Sequence, residues 1–205
     1  MTTRGRFITF EGADGCGKTT QLELLAEYLK ETGREVLITR EPGSKGLGIK
    51  LREILLNYDG EVAPQCESFL FLADRAQHIA TIVKPAIEAG KIVLCDRHTD
   101  STVAYQGYGR GLDLQEINYL NNLATQGLKP DLTLVFDVDI ETSMKRVGEE
   151  KDRMESGGIE FFNKVRNGYL AIAQNEPIRV KVIDASKTIN EVFEDVKLIY
   201  TKLND

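Results

Sequence analysis

Apolar positions follow two alternating rhythms along this chain. Short, nearly continuous apolar runs at Phe7–Glu11, Glu35–Thr39, Lys91–Cys95, Leu132–Phe136 and Arg179–Asp184 predict five strands, each apolar enough to be buried on both faces. Between them, apolar residues return every third or fourth position, as at Leu22, Leu25, Ala26 and Leu29, or at Ile49, Leu51, Ile54, Leu55 and Leu56, which predicts amphipathic helices. The longest such pattern runs from Cys66 to Ala89, and Pro85 within it is expected to kink the helix because it has no N–H to donate. Gly33 suits the end of the first helix. Asp113 with Glu116 and Thr188 with Glu191 have the spacing of capping boxes, the first opening a helix that runs through Ala124. Ile140–Val147 and Ile159–Asn175 supply two more helices. Ser101 to Gly111 is too rich in glycine and hydroxyl groups for a plain helix and is expected to mix a short helix with a loop. Strands that alternate with helices predict an α/β fold with a parallel sheet between two helical layers. Ligands of such sheets bind at the carboxyl ends of the strands, which here carry Arg40-Glu41, Asp96-Arg97, Asp137 and Asp184.

Composition narrows this picture. The 205 residues show no shift that would divide them, so a single domain over 1–205 is expected. Acidic residues outnumber basic ones by 32 to 26, the wrong balance for coating nucleic acid. There is no long apolar stretch and no apolar leader after Met1, so no membrane partner is expected and the protein is placed in the cytoplasm. Cys16, Cys66 and Cys95 have neither the number nor the spacing of a disulfide framework or a zinc site.

The chemistry starts at residues 11–20, Glu-Gly-Ala-Asp-Gly-Cys-Gly-Lys-Thr-Thr, where a predicted strand passes through G-x-x-x-x-G-K-T into a predicted helix. This is a phosphate-binding P-loop. Glycines at 12, 15 and 17 let backbone N–H groups converge on an anion, Lys18 adds a point charge for the outer phosphates, and Thr19 offers a hydroxyl to Mg²⁺. Ala13, Asp14, Cys16 and Thr20 complete the ATP-binding stretch. Cys16 beside a helix N-terminus is a position where a thiol pKa can fall, but a small residue that simply fits is the favoured reading. A GTPase requires N-K-x-D, and Asn163-Lys164-Val165-Arg166 lacks its aspartate. A dinucleotide fingerprint requires a third glycine where Thr20 stands. A kinase or a nucleotide-gated binding module remains. Arg52, Arg75 and Arg97, all expected to face the P-loop, favour a kinase with a phosphorylated acceptor, because guanidinium groups pair with phosphate through two parallel hydrogen bonds.

The sequence resembles the thymidylate kinases of bacteria from Phe7 to about Ala185. The residues that carry the resemblance are the P-loop, T-R-E-P-G at 39–43, F-L-A-D-R at 71–75, D-R-H-T-D-S-T-V-A-Y-Q-G at 96–107 and D-R-M-E at 152–155. The resemblance implies a three-layer P-loop kinase fold with a short mobile lid at about 145–158. It implies ATP-dependent phosphorylation of dTMP with Mg²⁺, and a homodimer in which the helix around Phe69 and Ile79 is a candidate surface. It further implies that Phe71 stacks on thymine, Arg75 bonds its O4, Arg52 and Arg97 hold the acceptor phosphate, Thr102 and Gln106 line the base, and Tyr105 lies under the sugar. Glu41 is counted with this acceptor group. Asp14 corresponds to a carboxylate near the sugar 3′-hydroxyl, and Asp96 to an acidic residue near Mg²⁺ and the acceptor phosphate. Lys18, Arg97 and Arg153 are then the charges that serve the transfer, and Arg146 and Lys151 share the lid. Ser44-Lys45 and His98 depart from the common pattern of the family, and His98 is not expected to be a base. A kinase for a different nucleotide is the nearest alternative.

Overall fold

In the computed structural model, which describes residues 4–147 and 158–203, the five predicted apolar runs are five strands. These are β1 (Phe7–Glu11), β2 (Val36–Arg40), β3 (Ile92–Asp96), β4 (Leu132–Asp137) and β5 (Val180–Asp184), all parallel, in the order β2-β3-β1-β4-β5. The helices are α1 (Lys18–Glu31), α2 (Leu47–Asn57), α3 (Pro64–His78), α4 (Lys84–Glu88), α5 (Thr99–Thr102), α6 (Leu114–Thr125), α7 (Ile140–Val147), α8 (Gly158–Asn175) and α9 (Ile189–Leu203). Strand side chains alternate between faces. Ile8 and Phe10 of β1 therefore pack with α1 and α9, whereas Phe7 packs with Ile79 and Val83 on the opposite face. Beside the latter lies a third cluster built from α8 and the 103–109 turns.

Burial on both faces holds for β1, β3 and β4 but not for the edges. In β2 only Thr39 is buried, and Val182 of β5 is exposed. An edge strand lacks a neighbour and is covered by fewer helices, so its apolar content overstates its burial.

Two helical segments also differ from expectation. The pattern from Cys66 to Ala89 is helical, but ahead of Pro85 the residues Ile79–Val83 are π-helical and the Lys84 N–H reaches the Ile79 carbonyl, a wider spacing that accommodates the proline ring. Val103–Gly109 is likewise π-helical and continuous with α5, with no loop. Its glycines serve packing: a Cβ on Gly109 would lie 2.6 Å from the Phe161 ring, and one on Gly107 would lie 2.5 Å from Leu114. Tertiary contact thus overrides low helix propensity. The capping signals act as read, since Asp113 accepts from the N–H groups of Gln115 and Glu116, and Thr188 and Glu191 bond each other reciprocally.

Candidate active site

β1 delivers the chain into the P-loop between its neighbours β3 and β4. Gly12 sits at φ +137, and a Cβ there would lie 2.6 Å from the Phe136 carbonyl oxygen, so only glycine fits. Gly15 and Gly17 also have positive φ, and Gly17 is the N-cap of α1, whose N-terminus therefore opens on the loop. Ala13 and Cys16 are buried. The Cys16 thiol belongs to the core cluster with Leu22 and Phe10, and burial pushes its pKa up, which agrees with a small residue that fits and not with an activated thiol. Fixed in the core, it lacks the exposure that reactivity requires.

Asp14 joins the two halves of the site. Its Oδ1 accepts from Lys18 Nζ at 3.3 Å and from Arg97 Nη2 at 2.7 Å. Burial works against its ionisation, but the charges of Arg97 and Lys18 outweigh burial and hold the carboxyl well below its ordinary value. Arg97 itself has φ +68 and donates its N–H to Phe10 O, an extension of the β1–β3 ladder that fixes where the guanidinium starts. From Nη1 it reaches Ser101 Oγ and Tyr169 OH, and from Nη2 Tyr105 OH, each at 3.2 Å.

Thr19 Oγ1 donates to Asp96 Oδ2 at 3.2 Å, and Asp96 Oδ1 is buried with no partner among the described residues. A hydroxyl beside an unpartnered carboxylate oxygen at the P-loop suits a cation that takes its other ligands from phosphate and water, as Mg²⁺ does.

Beside Asp14 and Arg97 opens a cleft of about 570 Å³ lined by these two residues and by Glu41, Arg52, Phe71 and Arg75, together with Ser101, Thr102, Tyr105 and Gln106. All eight residues expected to hold the acceptor are thus neighbours, although α2, α3, the 99–109 helix and the positions just after β2 and β3 supply them. A wider cleft of about 1280 Å³ opens beside it, lined by Lys18, Thr19, Ser44 and Asp96, and shares Asp14, Glu41, Arg52 and Arg97 with the first. A third, of about 620 Å³, lies past the P-loop between Cys16, Gly17, Thr20, Arg146, Ala185 and Lys187.

Arg75 is more constrained than its sequence suggests. Its Nε bonds Glu41 Oε2 at 2.8 Å, its Nη1 bonds both Thr102 Oγ1 and Asn121 Oδ1, and its Nη2 bonds the His98 carbonyl. Among the described residues, these partners occupy four of the five donors of a guanidinium, and a single Nη2 hydrogen is left for a ligand. Glu41 also receives His78 and His98 on Oε1, and although burial alone would raise its pKa, these groups with Arg75 hold it well below the ordinary range. His98 is fully buried in this cluster, and burial lowers its pKa.

Several site residues were invisible in the sequence. Glu11, at the end of β1, accepts from the His98 N–H, Ser101 Oγ and Tyr169 OH. Ser143 of α7 donates to the Asp14 carbonyl, and Asn121 of α6 supports Arg75. These are long-range pairings that no local pattern encodes. Conversely, Asp137 and Asp184 are not among the described residues that line these three clefts: Arg166 engages Asp137 through two bonds, and Asp184 closes a turn with Ser186. Lys145 and Arg146 belong to the last turn of α7, and Arg146 reaches the Ala185 carbonyl. Lys151 and Arg153 lie outside the described residues.

A parallel sheet with a P-loop after its central strand, facing an arginine-lined cleft, defines a P-loop kinase. The thymidylate kinase family model matches residues 10–196. The chain is 53% identical to a thymidylate kinase of Sulfurihydrogenibium sp. over 92% of its own length and 93% of that protein's, and 50% identical to one of Geotalea uraniireducens over 91% and 92%. A crystal structure of thymidylate kinase from Ehrlichia chaffeensis is similar with a TM-score of 0.82 and 40% identity, covering 97% of this chain and 99% of that one. The chain belongs to the thymidylate kinase family.

Proposed function

We propose that this protein transfers the γ-phosphoryl group of ATP to dTMP, giving dTDP and ADP. The observation that carries the proposal is the junction of two clefts, one opening on the P-loop and the other walled by Phe71, Thr102, Tyr105 and Gln106, at Asp14, Glu41, Arg52 and Arg97. Phosphoryl transfer has a loose, charge-rich transition state, so alignment and fixed positive charge accomplish most of it. Lys18 supplies charge on the donor side and Arg97 on the acceptor side, with Arg153 of the lid completing the set. Thr19 and Asp96 would hold Mg²⁺, which when bound neutralises phosphate charge. The acceptor phosphate lies against Arg52 and Arg97, its sugar over Tyr105 near Asp14, and its base between Phe71 and the Arg75, Thr102 and Gln106 side chains. The third cleft, beside Arg146 and Ala185, takes the adenine end of ATP.

We place the reaction in the cytoplasm. Among the described residues no helix is long and apolar enough to cross a membrane. The working form is a homodimer joined through α2, α3 and α6, which expose Leu47, Ile49, Phe69 and Leu123. Ile79, which the sequence offered for that surface, is fully buried and is excluded from it. ADP release measured with dTMP, dUMP, dCMP and no acceptor tests the function. Release should require a monophosphate and follow the order dTMP, dUMP, dCMP, because one methyl group is worth only about 1–3 kcal/mol whereas a mispaired polar edge costs roughly 10⁴-fold. Release without an acceptor would make the protein an ATP-driven module instead.

A further inference from the structure

Gln106 can present either of two faces to the acceptor cleft, an amide donor or a carbonyl acceptor, and its sequence does not say which. The structure supplies a reason for one of them. Glu67, in the first turn of α3 and one helical turn before Phe71, is buried, and its Oε1 accepts from Gln106 Nε2 at 2.9 Å. Arg110 donates to both oxygens of Glu67 from Nε and Nη2, at 3.4 Å each, while its own guanidinium lies 4.6 Å from the Phe161 ring centroid. A carboxylate so paired accepts and never donates. It therefore captures the NH₂ end of Gln106. Among the described residues no hydrogen bond to Gln106 Oε1 accompanies this one, and Gln106 lines the cleft.

The geometry points to Glu67 as a specificity-determining positioning residue: by holding the Gln106 amide nitrogen, it leaves a carbonyl acceptor facing the base, next to the one remaining Arg75 donor. The inference rests on the reading of this cleft as a pyrimidine pocket. A donor beside an acceptor complements the O4 carbonyl and N3–H of thymine or uracil. Cytosine presents an amino group and an unprotonated N3 there, so it meets donor with donor and acceptor with acceptor. If the amide were free to turn, one of those two mismatches would disappear.

The test compares kcat and KM for dTMP and dCMP in the unmutated enzyme, Glu67→Gln and Glu67→Asp, with a thermal melt of each. Position 67 in Glu67→Gln keeps its size but can accept or donate, so it no longer dictates the turn of Gln106. The dTMP-over-dCMP ratio of kcat/KM should fall by about 10- to 100-fold, chiefly through KM. Glu67→Asp is shorter but still accepts only, so the ratio should stay within about threefold of the unmutated value even if stability drops. A residue that merely fills space would give the reverse ranking, with the isosteric variant mild and the shortened one severe, and that ranking would overturn the inference. Should Glu67→Gln lose its cooperative melt, the exchange Glu67→Gln with Gln106→Glu takes its place. It keeps one amide against one carboxylate and an acceptor facing the base, so rejection of dCMP should persist, and acceptance of dCMP by that pair would overturn the inference. Acceptance of dCMP by the unmutated enzyme would instead remove the pyrimidine-pocket reading itself.

Discussion

Among the described residues, Glu11 has three hydrogen bonds to neutral donors and no cationic side chain bonded to it. Burial, then the nearby Asp100 charge, pushes its pKa up to about 7 from the usual 4.5. The folded protein therefore favours the protonated acid, and the stability this contributes is complete below pH 4.5 and is lost as pH rises through 7. A shift of this size corresponds to about 3 kcal/mol. Denaturant unfolding of the ligand-free protein between pH 4.5 and 8 should show the unmutated chain losing stability relative to Glu11→Gln as pH rises. Parallel curves would mean that Glu11 titrates normally. Arg75 illustrates the opposite case, a buried charge with four of its five donors paired. Arg75→Ala strands the Glu41 carboxylate among His78 and His98, and removing one partner of a buried pair costs roughly 3–5 kcal/mol. Arg75→Ala should therefore lower the unfolding midpoint as well as dTMP affinity. An unchanged midpoint would show that the two histidines suffice for Glu41.

At the scale of the element, glycine content misleads and the reason is physical. Gly107 and Gly109 lower the local helix propensity of 103–109, yet each meets a neighbouring side chain so closely that a Cβ does not fit. Gly109→Ala would press on Phe161 and Val165, and such overpacking costs about 1–3 kcal/mol. Because Tyr105 and Gln106 lie on the same π-helical turns, the variant should also raise KM for dTMP more than it lowers kcat; a normal KM would show that the turns adjust without moving the cleft. The same elements show how far a sequence can be read. The five strands, the P-loop and both capping signals follow from periodicity and local spacing, and the residues that the family motifs propose for the acceptor line a common cleft. Three things were not legible. The weak burial of β2 and β5 depends on sheet order, the Glu67–Gln106 and Ser143–Asp14 contacts join residues far apart in sequence, and the near-complete use of the Arg75 fork depends on Asn121, which belongs to a separate helix.

At the scale of the whole molecule, the apolar residues left outside the three core clusters are unevenly placed. α2 exposes Leu47, Ile49 and Ile54, with Tyr58 at its end; α3, packed against it, exposes Phe69; and α6, packed against α3, exposes Tyr119 and Leu123. Exposed apolar residues scattered singly need no explanation, but a concentration on adjoining helices is the mark of an interface. A stable homodimer buries roughly 1,200–2,000 Å² in total, an area that three neighbouring helices can supply. The consequence reaches the active site, because α2 carries Arg52 and α3 carries Glu67, Phe71 and Arg75, so the helices that would be buttressed by a second copy are the ones that build the acceptor cleft. Light scattering coupled to size exclusion should give a dimer mass at micromolar concentration, and Phe69→Glu, which places a charge in the middle of the surface, should shift it to the monomer. The monomer should retain the P-loop and bind ATP, while KM for dTMP rises about tenfold or more as α2 and α3 lose their support. A monomeric mass for the unmutated protein would refute the dimer, and a monomeric Phe69→Glu with unchanged KM would show that the acceptor cleft stands without it.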